Sequence, residues 1–178
     1  HLPQGIRAIR SYDRVILERR QEGGAETTAA YAIPVPVPPS PGESVTCQIP
    51  GGILRLTRLV KEDLDREELF SENCEKKSVN LLENRCTEWI DCDKIKELLE
   101  WRTRRTGDYL EIRTSSGHGH KTIKSLFIDE KVPCRERDRI PLLAQGSHIL
   151  WVAGGRICES CKINADTRQI LQVEYENT

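Results

Sequence analysis

Basic side chains are concentrated in one part of this 178-residue chain. From residue 101 to residue 139 there are ten Lys and Arg against six Asp and Glu, a net charge of +4 on a chain whose overall net charge is −1. Guanidinium groups bind phosphate by bidentate hydrogen bonds and ammonium groups add point charge, so these residues favour contact with a nucleic acid. Glu136 and Asp138 lie between arginines and favour the alternative, a solvated surface of ion pairs. The basic residues are Arg102, Arg104, Arg105, Arg113, Lys121, Lys124, Lys131, Arg135, Arg137 and Arg139.

A Cys-x-x-Cys pair, Cys158 and Cys161, is the second set of residues that could do chemistry. A closed zinc site needs four ligands, commonly two such pairs or one pair with spaced histidines. None of the other five cysteines forms a second pair at this spacing, and the pair does not open a helix, as most redox pairs do. We therefore interpret both as small buried side chains and predict no metal ligand. Zinc or redox chemistry remains the alternative.

The sequence shows no catalytic constellation. It contains no Walker-type glycine loop, no nucleophile elbow and no carboxylate pair that stands out from ordinary surface charge. His118-Gly-His120 predicts a turn, with phosphate contact by His120 or metal binding as alternatives. We therefore expect the chain to be non-catalytic by itself.

The segment that must position most of the basic groups is residues 118–141. Ile123, Leu126 and Phe127 are spaced at i, i+3 and i+4, which predicts the buried face of a helix. This helix is expected to begin near Lys121 and to carry the lysines on its other side.

Two prolines divide this segment. Pro133 cannot continue a helix, so the first helix should end by Val132. Proline suits the first position of a helix, so a second short helix is predicted over residues 134–140, and Pro141 should end it. The residues that we assign to the scaffold are Ile123, Leu126, Phe127, Pro133, Arg137, Arg139, Pro141 and Trp151.

Alternating apolar and polar residues predict strands in the rest of the chain. Alternate prolines over residues 33–42 predict an extended strap or a sheet-edge segment. Residues 21–30 read as a loop, and residues 61–85 as a surface helix or a poorly ordered excursion. Further predictions are hairpins over 5–20 and 44–60, strands over 87–90, 99–103, 109–113, 148–152, 156–163 and 169–175, and a short helix over 93–98 that Asp91 caps. Strands with interposed short helices and no regular βαβ repeat indicate an α+β fold.

Composition limits the class of protein. Hydrophobic residues make up 37% and charged residues 31%, which excludes the depletion typical of disordered chains. No apolar run approaches the roughly 18 residues of a membrane span, and no signal peptide is visible. Seven cysteines without a secretory signal predict reduced thiols in the cytoplasm. Because the chain contains no methionine, we expect His1 to be an internal residue of a longer protein.

Three segments carry a resemblance to a known family. WRTRRTGDYLEI (101–112), KTIKSLFIDEKVPCRERDRIPLL (121–143) and ILWVAGGRICESCKI (149–163), followed by Thr167, resemble in order and spacing the C-terminal domain of bacterial tRNA(Ile)-lysidine synthetase. Residues 2–17 are similar to the segment that leads into that domain. The chain departs from the family pattern where it has cysteines at 134, 158 and 161.

The resemblance implies a fold and an activity. It implies β-sandwich-like sheets with short helices, similar also to a domain of the phenylalanyl-tRNA synthetase β subunit. It implies a full enzyme that uses ATP, Mg²⁺ and lysine to convert the wobble cytidine of an isoleucine tRNA to lysidine. Catalysis would belong to an upstream domain with a Ser-Gly-Gly-x-Asp-Ser loop, which this sequence lacks, so no cofactor is expected in this chain.

We accordingly divide the chain into a β-rich half over residues 1–98 and a C-terminal module over 99–178, although the two could form one domain. The expected partners are tRNA(Ile) and the upstream catalytic domain, with no membrane. The alternative is a structural or homodimerisation module without RNA contact, favoured if Arg104, Arg137 and Arg139 pair with carboxylates inside the domain. The predicted RNA contacts are Lys121, Lys124, Lys131, Arg135, Arg102, Arg105 and His120.

Overall fold

The structure is a computed structural model that describes residues 6–11, 14–19, 30–64, 85–115 and 117–177. The first strands are β1 (Ile6–Ser11), β2 (Arg14–Arg19), β3 (Ala32–Val35), β4 (Ser44–Ile49), β5 (Gly52–Val60), β6 (Arg85–Asp91) and β7 (Leu99–Arg102). They are followed by β8 (Tyr109–Thr114), β9 (Gly117–Thr122), the helix α1 (Ile123–Asp129), β10 (Leu142–Gln145), β11 (His148–Val152) and β12 (Gln169–Asn177). Short 3-10 turns cover Lys61–Asp63, Cys92–Lys94 and Glu159–Cys161. The predicted loop over 21–30 and excursion over 61–85 fall largely outside the described residues.

Strands β3 to β12 form two sheets. One has six strands in the order β3-β7-β10-β11-β8-β9, and the other has four in the order β4-β5-β12-β6. Neighbouring strands run antiparallel, apart from β8 and β11, which meet in parallel at one registered pair, Tyr109 and His148. β1 and β2 pair separately as the predicted hairpin. These mixed sheets with few short helices confirm the predicted α+β class.

One hydrophobic cluster includes residues of both sheets. Alternation along β5 buries Leu54 and Leu56, as expected for a strand with one face on the core. Trp101 of β7 packs on Tyr175 of β12 with ring centroids 5.2 Å apart, and on Trp151 of β11 at 6.0 Å. The two sheets therefore pack against each other through large aromatic side chains.

The hairpin and the proline-rich strap of the first half are confirmed. β4 and β5 pair along their length, and β3, which contains Pro34, is the edge strand of the larger sheet. An edge position suits proline because its missing N–H is not needed on the open side. Arg58 holds the strap by donating to the carbonyl oxygens of Pro38 and Pro39 at 3.1 and 2.8 Å.

The predicted 98/99 boundary stays a prediction, but each sheet takes strands from both sides of it. β3 pairs with β7 in the larger sheet, and β12 lies between β5 and β6 in the smaller one. Within the described ranges, no helix is both long enough and apolar enough to cross a membrane.

Two further predicted elements are wrong. The helix over 93–98 is only a 3-10 turn at Cys92–Lys94, although Asp91 does cap it by accepting from the Asp93 amide at 3.0 Å. The strand over 156–163 is an isolated bridge at Ile157 followed by the 3-10 turn at Glu159–Cys161. In the second case the Cys158 amide donates to the Leu150 carbonyl at 2.8 Å, and the next backbone bond, from the Cys161 amide to the Cys158 carbonyl, belongs to the 3-10 turn.

The start of the predicted first helix is also corrected. Strand β9 pairs with β8 up to Thr122, so Lys121 is a strand residue and α1 begins at Ile123. The Thr122 side chain caps the helix by accepting from the Ser125 amide at 3.2 Å. The apolar face is buried as the spacing predicts, with Ile123, Leu126 and Phe127 at most 1% exposed.

The end of α1 is a Schellman motif. The Lys131 amide donates to Ile128 at 3.0 Å and the Val132 amide to Phe127 at 2.8 Å. Lys131 takes a φ of +56° at the position where glycine is usual. The helix therefore ends before Pro133 acts on it.

The predicted second helix over 134–140 is wrong. These residues form successive turns, in which the Glu136 amide donates to Pro133 and the Arg139 amide to Glu136, both at 2.9 Å. Arg137 donates its Nε to the Val132 carbonyl at 2.8 Å, which draws its side chain back over the turn. The segment is a compact loop whose shape its side chains help to hold.

Candidate functional site

Arg102 is a buried anchor and is 0% exposed at the end of β7. Its Nη1 and Nη2 donate to the two Asp108 carboxylate oxygens at 2.7 and 2.8 Å, and Nη2 also donates to the Gly146 carbonyl at 2.6 Å. The same carboxylate accepts from the Arg105 amide at 2.6 Å, which closes the turn between β7 and β8. The prediction that Arg102 contacts RNA stays a prediction, and the structure places this side chain in the interior, engaged by Asp108 and Gly146.

Other arginines of the basic zone make ion pairs at the surface. Arg104 pairs with Asp138 at 2.7 Å, joining the β7–β8 turn to the 134–140 loop. Arg105 is about half exposed and pairs with Glu100 at 3.0 Å. Arg135 and Arg139 lie exposed on the same loop. These groups can reach solvent, but several of them are already engaged by carboxylates.

One face of the β8–β9 hairpin brings aromatic and basic side chains together. Arg113 of β8 lies opposite His118 of β9, and Glu111 of β8 lies opposite His120 of β9. The two pairs are two residues apart along the strands, so all four side chains share one face. The exposed His120 ring stacks on Tyr109 with centroids 4.8 Å apart and an interplanar angle of 16°. We call Tyr109, Arg113, His118 and His120 the β8–β9 face. Because β9 is the outermost strand of its sheet, this face lies at an edge.

The predicted lysine contacts continue from this edge. Lys121 is the next-to-last residue of β9 and pairs with Asp129 at 2.5 Å. Lys124 and Lys131 are exposed, and with Ile128, which is 42% exposed, they follow i, i+4 and i+7 spacing along one side of α1 and its cap. We call residues 117–131 the β9–α1 unit. It carries four of the seven predicted RNA contacts, namely His120, Lys121, Lys124 and Lys131.

A histidine–cysteine cluster lies beside the hairpin. His148 Nε2 is 3.1 Å from Cys158 Sγ and 3.9 Å from Glu111 Oε1. Ser160 Oγ lies 3.2 Å from Cys158 Sγ and 4.0 Å from Cys161 Sγ. Both cysteines are buried, as the sequence suggests, but they have polar partners that no spacing in the sequence reveals.

The electrostatics of the cluster favour charge separation. The hydrogen bond from Cys161, aided by those from His148 and Ser160 and opposed by burial, lowers the pKa of Cys158 to about 3. The same bond and burial raise the pKa of Cys161, and the bond to Cys158 raises the pKa of His148. The arrangement favours a Cys158 thiolate next to a His148 imidazolium, with Cys161 protonated as a donor.

Comparison with known proteins finds a family similar to the second half of the chain. Residues 99–174 match the family model of the TilS substrate C-terminal domain. The tRNA(Ile)-lysidine synthase of Caldanaerobacter subterraneus subsp. tengcongensis is 41% identical over 49% of this chain and 18% of its own length. That of Geobacillus kaustophilus is 30% identical over 86% of this chain and 28% of its own length. That of Clostridioides difficile is 26% identical over 98% of this chain and 32% of its own length. The chain thus spans no more than about a third of these relatives.

A solved structure shows the same fold. The crystal structure of a TILS C-terminal domain matches with a TM-score of 0.54 and 24% identity, covering 84% of this chain and 98% of that one. The predicted fold similarity is confirmed, and so is the family resemblance of the three sequence segments. Residues 99–174 of this chain are thus similar to the TilS substrate C-terminal domain family.

Proposed function

We propose that this chain is the tRNA-recognising C-terminal portion of a tRNA(Ile)-lysidine synthase. The relatives named tRNA(Ile)-lysidine synthase support the substrate, a tRNA for isoleucine. In this proposal the chain is non-catalytic, and an upstream domain of the same protein uses ATP, Mg²⁺ and lysine. The observation that carries the RNA contact is the gathering of exposed cations on the outermost strand and the helix that follows it.

The β9–α1 unit has the properties of a phosphate-binding edge. Lys124 and Lys131 supply mobile positive charge, and the outer side of an edge strand presents backbone N–H groups. The stacked His120 and Tyr109 rings add a flat aromatic surface on which an unpaired base can stack. Phosphate contacts of this kind would orient the tRNA without reading its sequence.

The backbone at Lys131 supports this assignment. Among the described residues other than glycine, Lys131 is the one with a positive φ, +56°. The left-handed conformation costs an L-residue roughly 1–2 kcal/mol, and glycine would avoid that cost. A lysine at such a position is consistent with a role for its ammonium group outside the fold.

The test is the salt dependence of tRNA(Ile) binding. The affinity of the unmodified chain should fall linearly on a log–log plot against salt, and Lys124→Glu and Lys131→Glu should each reduce the slope by about one unit. Lys94→Glu, which changes an exposed lysine in the 3-10 turn after β6, is the matched control and should leave the slope unchanged. Binding insensitive to salt, or unaffected by charge reversal at Lys121, Lys124 and Arg135 together, would refute the proposal.

A structural or dimerisation module is the second candidate function. Its support is the pairing of Arg104 with Asp138 and of Lys121 with Asp129, which neutralises part of the basic zone within the fold. On this hypothesis the molar mass in solution, measured by light scattering, should double as concentration rises. tRNA should then leave that mass unchanged, and charge reversal at Lys124 should have no effect on tRNA affinity.

A further inference from the structure

We propose that Cys158, Cys161, His148 and Glu111 form a binding site for one zinc ion, which clamps strand β8 to strand β11. The proposal concerns a different group of residues from the proposed tRNA contacts and does not depend on them.

The spacing of the donor atoms suits zinc. One donor atom each from Glu111, His148 and Cys158 lies within 4.8 Å of the other two. Tetrahedral zinc, with sulfur at about 2.3 Å and nitrogen or oxygen at about 2.1 Å, would place the S···N pair about 3.6 Å apart and the N···O pair about 3.4 Å apart. The corresponding distances here are 3.1 and 3.9 Å, so each pair needs to move by only about half an ångström.

Cys161 provides the fourth donor. Its donor atom does not lie within 4.8 Å of all three other donors, so its side chain would have to turn toward the ion, and two intervening residues are the ordinary spacing of a zinc-binding cysteine pair. Backbone bonds hold this turn, because the Cys158 amide donates to Leu150 at 2.8 Å and the Cys161 amide donates to Cys158 at 3.1 Å. Ser160 Oγ, 3.2 Å from Cys158 Sγ, can orient the sulfur from outside the metal shell.

The donor set selects the metal. Two sulfurs and an imidazole nitrogen are soft to borderline ligands that suit zinc, whereas Mg²⁺ and Ca²⁺ require oxygen. Both cysteines are at most 2% exposed, and His148 and Glu111 are partly buried, so four protein ligands can close the shell without water. Zinc would enter as the hydrated ion, lose its waters, and displace to the buffer any proton that the thiols still carry.

The location gives the site a structural role. β8 and β11 share a single registered pair, so the β8–β9 hairpin has little strand pairing to the rest of its sheet. Glu111 comes from β8, His148 from β11 and the cysteines from the 3-10 turn after β11. An ion at this point would tie all three together and so hold the hairpin in place.

The experiment is a Co²⁺ titration of the reduced, metal-free 178-residue chain. We expect saturation at one equivalent, sulfur-to-cobalt charge-transfer absorption and the visible bands of tetrahedral cobalt, all abolished by one equivalent of Zn²⁺. Cys158→Ser and Cys161→Ser should each weaken Co²⁺ binding at least 100-fold, and His148→Gln at least tenfold. Cys134→Ser and Cys47→Ser, which change thiols elsewhere in the described chain, should leave it unchanged.

A second readout does not depend on variants that fold poorly. Hydrogen exchange of the unmodified chain should slow in β8 and β9 when zinc is added, while exchange in β4 and β5 should stay the same. Absence of a saturable one-equivalent spectrum would overturn the proposal. So would Co²⁺ binding that Cys158→Ser leaves intact, or a chain that takes no metal when reduced and is isolated with a Cys158–Cys161 disulfide.

Discussion

Two groups of cations in the basic zone differ in burial: Arg102, which is buried with Asp108, and the exposed lysines of the β9–α1 unit. Arg102 is 0% exposed and its guanidinium donates to a carboxylate and two carbonyl groups, whereas Lys124 lies in solvent on α1. Both are cations within one stretch of net charge +4. Local net charge therefore does not distinguish a buried arginine from an exposed lysine. What separates the two side chains is burial, because Arg102 lies inside the fold and Lys124 on its surface.

The most severe test of this comparison is to break the anchor. Arg102→Leu leaves Asp108 as a buried charge without its partner and should lower the free energy of unfolding by about 3–5 kcal/mol. Urea denaturation measures this loss. Arg102→Leu combined with Asp108→Asn should recover part of it, since the unpaired charge is then removed. A loss below about 1 kcal/mol would mean that Arg102 is not a scaffold residue.

Substitution of an exposed lysine in the β9–α1 unit should change tRNA affinity but not the free energy of unfolding. Lys124→Glu reverses the charge at a proposed phosphate contact and should weaken tRNA(Ile) binding roughly fivefold to tenfold at moderate salt. Its free energy of unfolding should change by no more than about 0.5 kcal/mol, as for other surface substitutions. Fluorescence anisotropy and urea denaturation measure the two quantities. A large loss of stability would place Lys124 with the scaffold instead.

Lys131→Gly should change stability and binding in opposite directions, raising the free energy of unfolding and lowering tRNA affinity. Glycine adopts a φ of +56° without strain, so the free energy of unfolding should rise by about 1 kcal/mol. Loss of the ammonium group should at the same time reduce tRNA affinity. Lys131→Ala, which removes the charge but keeps the strain, is the control, and it should weaken binding without stabilising the fold.

The smallest expected effect concerns Glu130, where α1 meets the rest of the scaffold. Burial raises the pKa of Glu130, opposed by Arg156, whose Nε is 3.4 Å from Oε1. The folded chain therefore holds this proton more tightly than the unfolded chain. The contribution of Glu130 to stability falls as pH rises from the unfolded to the folded pKa and stays low above that.

Glu130→Gln removes this titration. The variant should lose less stability than the unmodified chain between about pH 4 and pH 7, as judged by urea midpoints in matched buffers. An unchanged difference between the two chains across that interval would show that the carboxyl group titrates normally in the fold.

Elements with a local pattern could be predicted from the sequence, and elements that depend on a partner could not. β5 and β12 alternate apolar and polar residues, so their own sequence specifies them. Strand β9 reads GHGHKT and lacks an apolar face, and it is a strand because β8 supplies its hydrogen bonds. The 134–140 segment follows Pro133, a residue that suits a helix start, but its backbone hydrogen bonds run from residue i+3 to residue i and form separate turns.

The same limit applies to the sites. The lysines of the β9–α1 unit are neighbours in sequence and could be grouped from it. The histidine–cysteine cluster contains Glu111, His148 and Cys158. Glu111 lies close to the other two because β8 and β11 are neighbours in the sheet, although they are far apart in the sequence. Burial of Arg102 likewise requires Asp108 and Gly146 to meet across the sheet, which no residue count predicts.

The position of β12 has a consequence for how the protein folds. β12 pairs with β5 on one side and β6 on the other, so these two strands are joined only through a segment made far later in the chain. The smaller sheet can therefore form completely only after β12 has been made. Pairing between segments so far apart in the chain raises the contact order, which favours slow folding. During synthesis the edge of β5 that later pairs with β12 would present unpaired backbone N–H and C=O groups, a template for pairing with another chain.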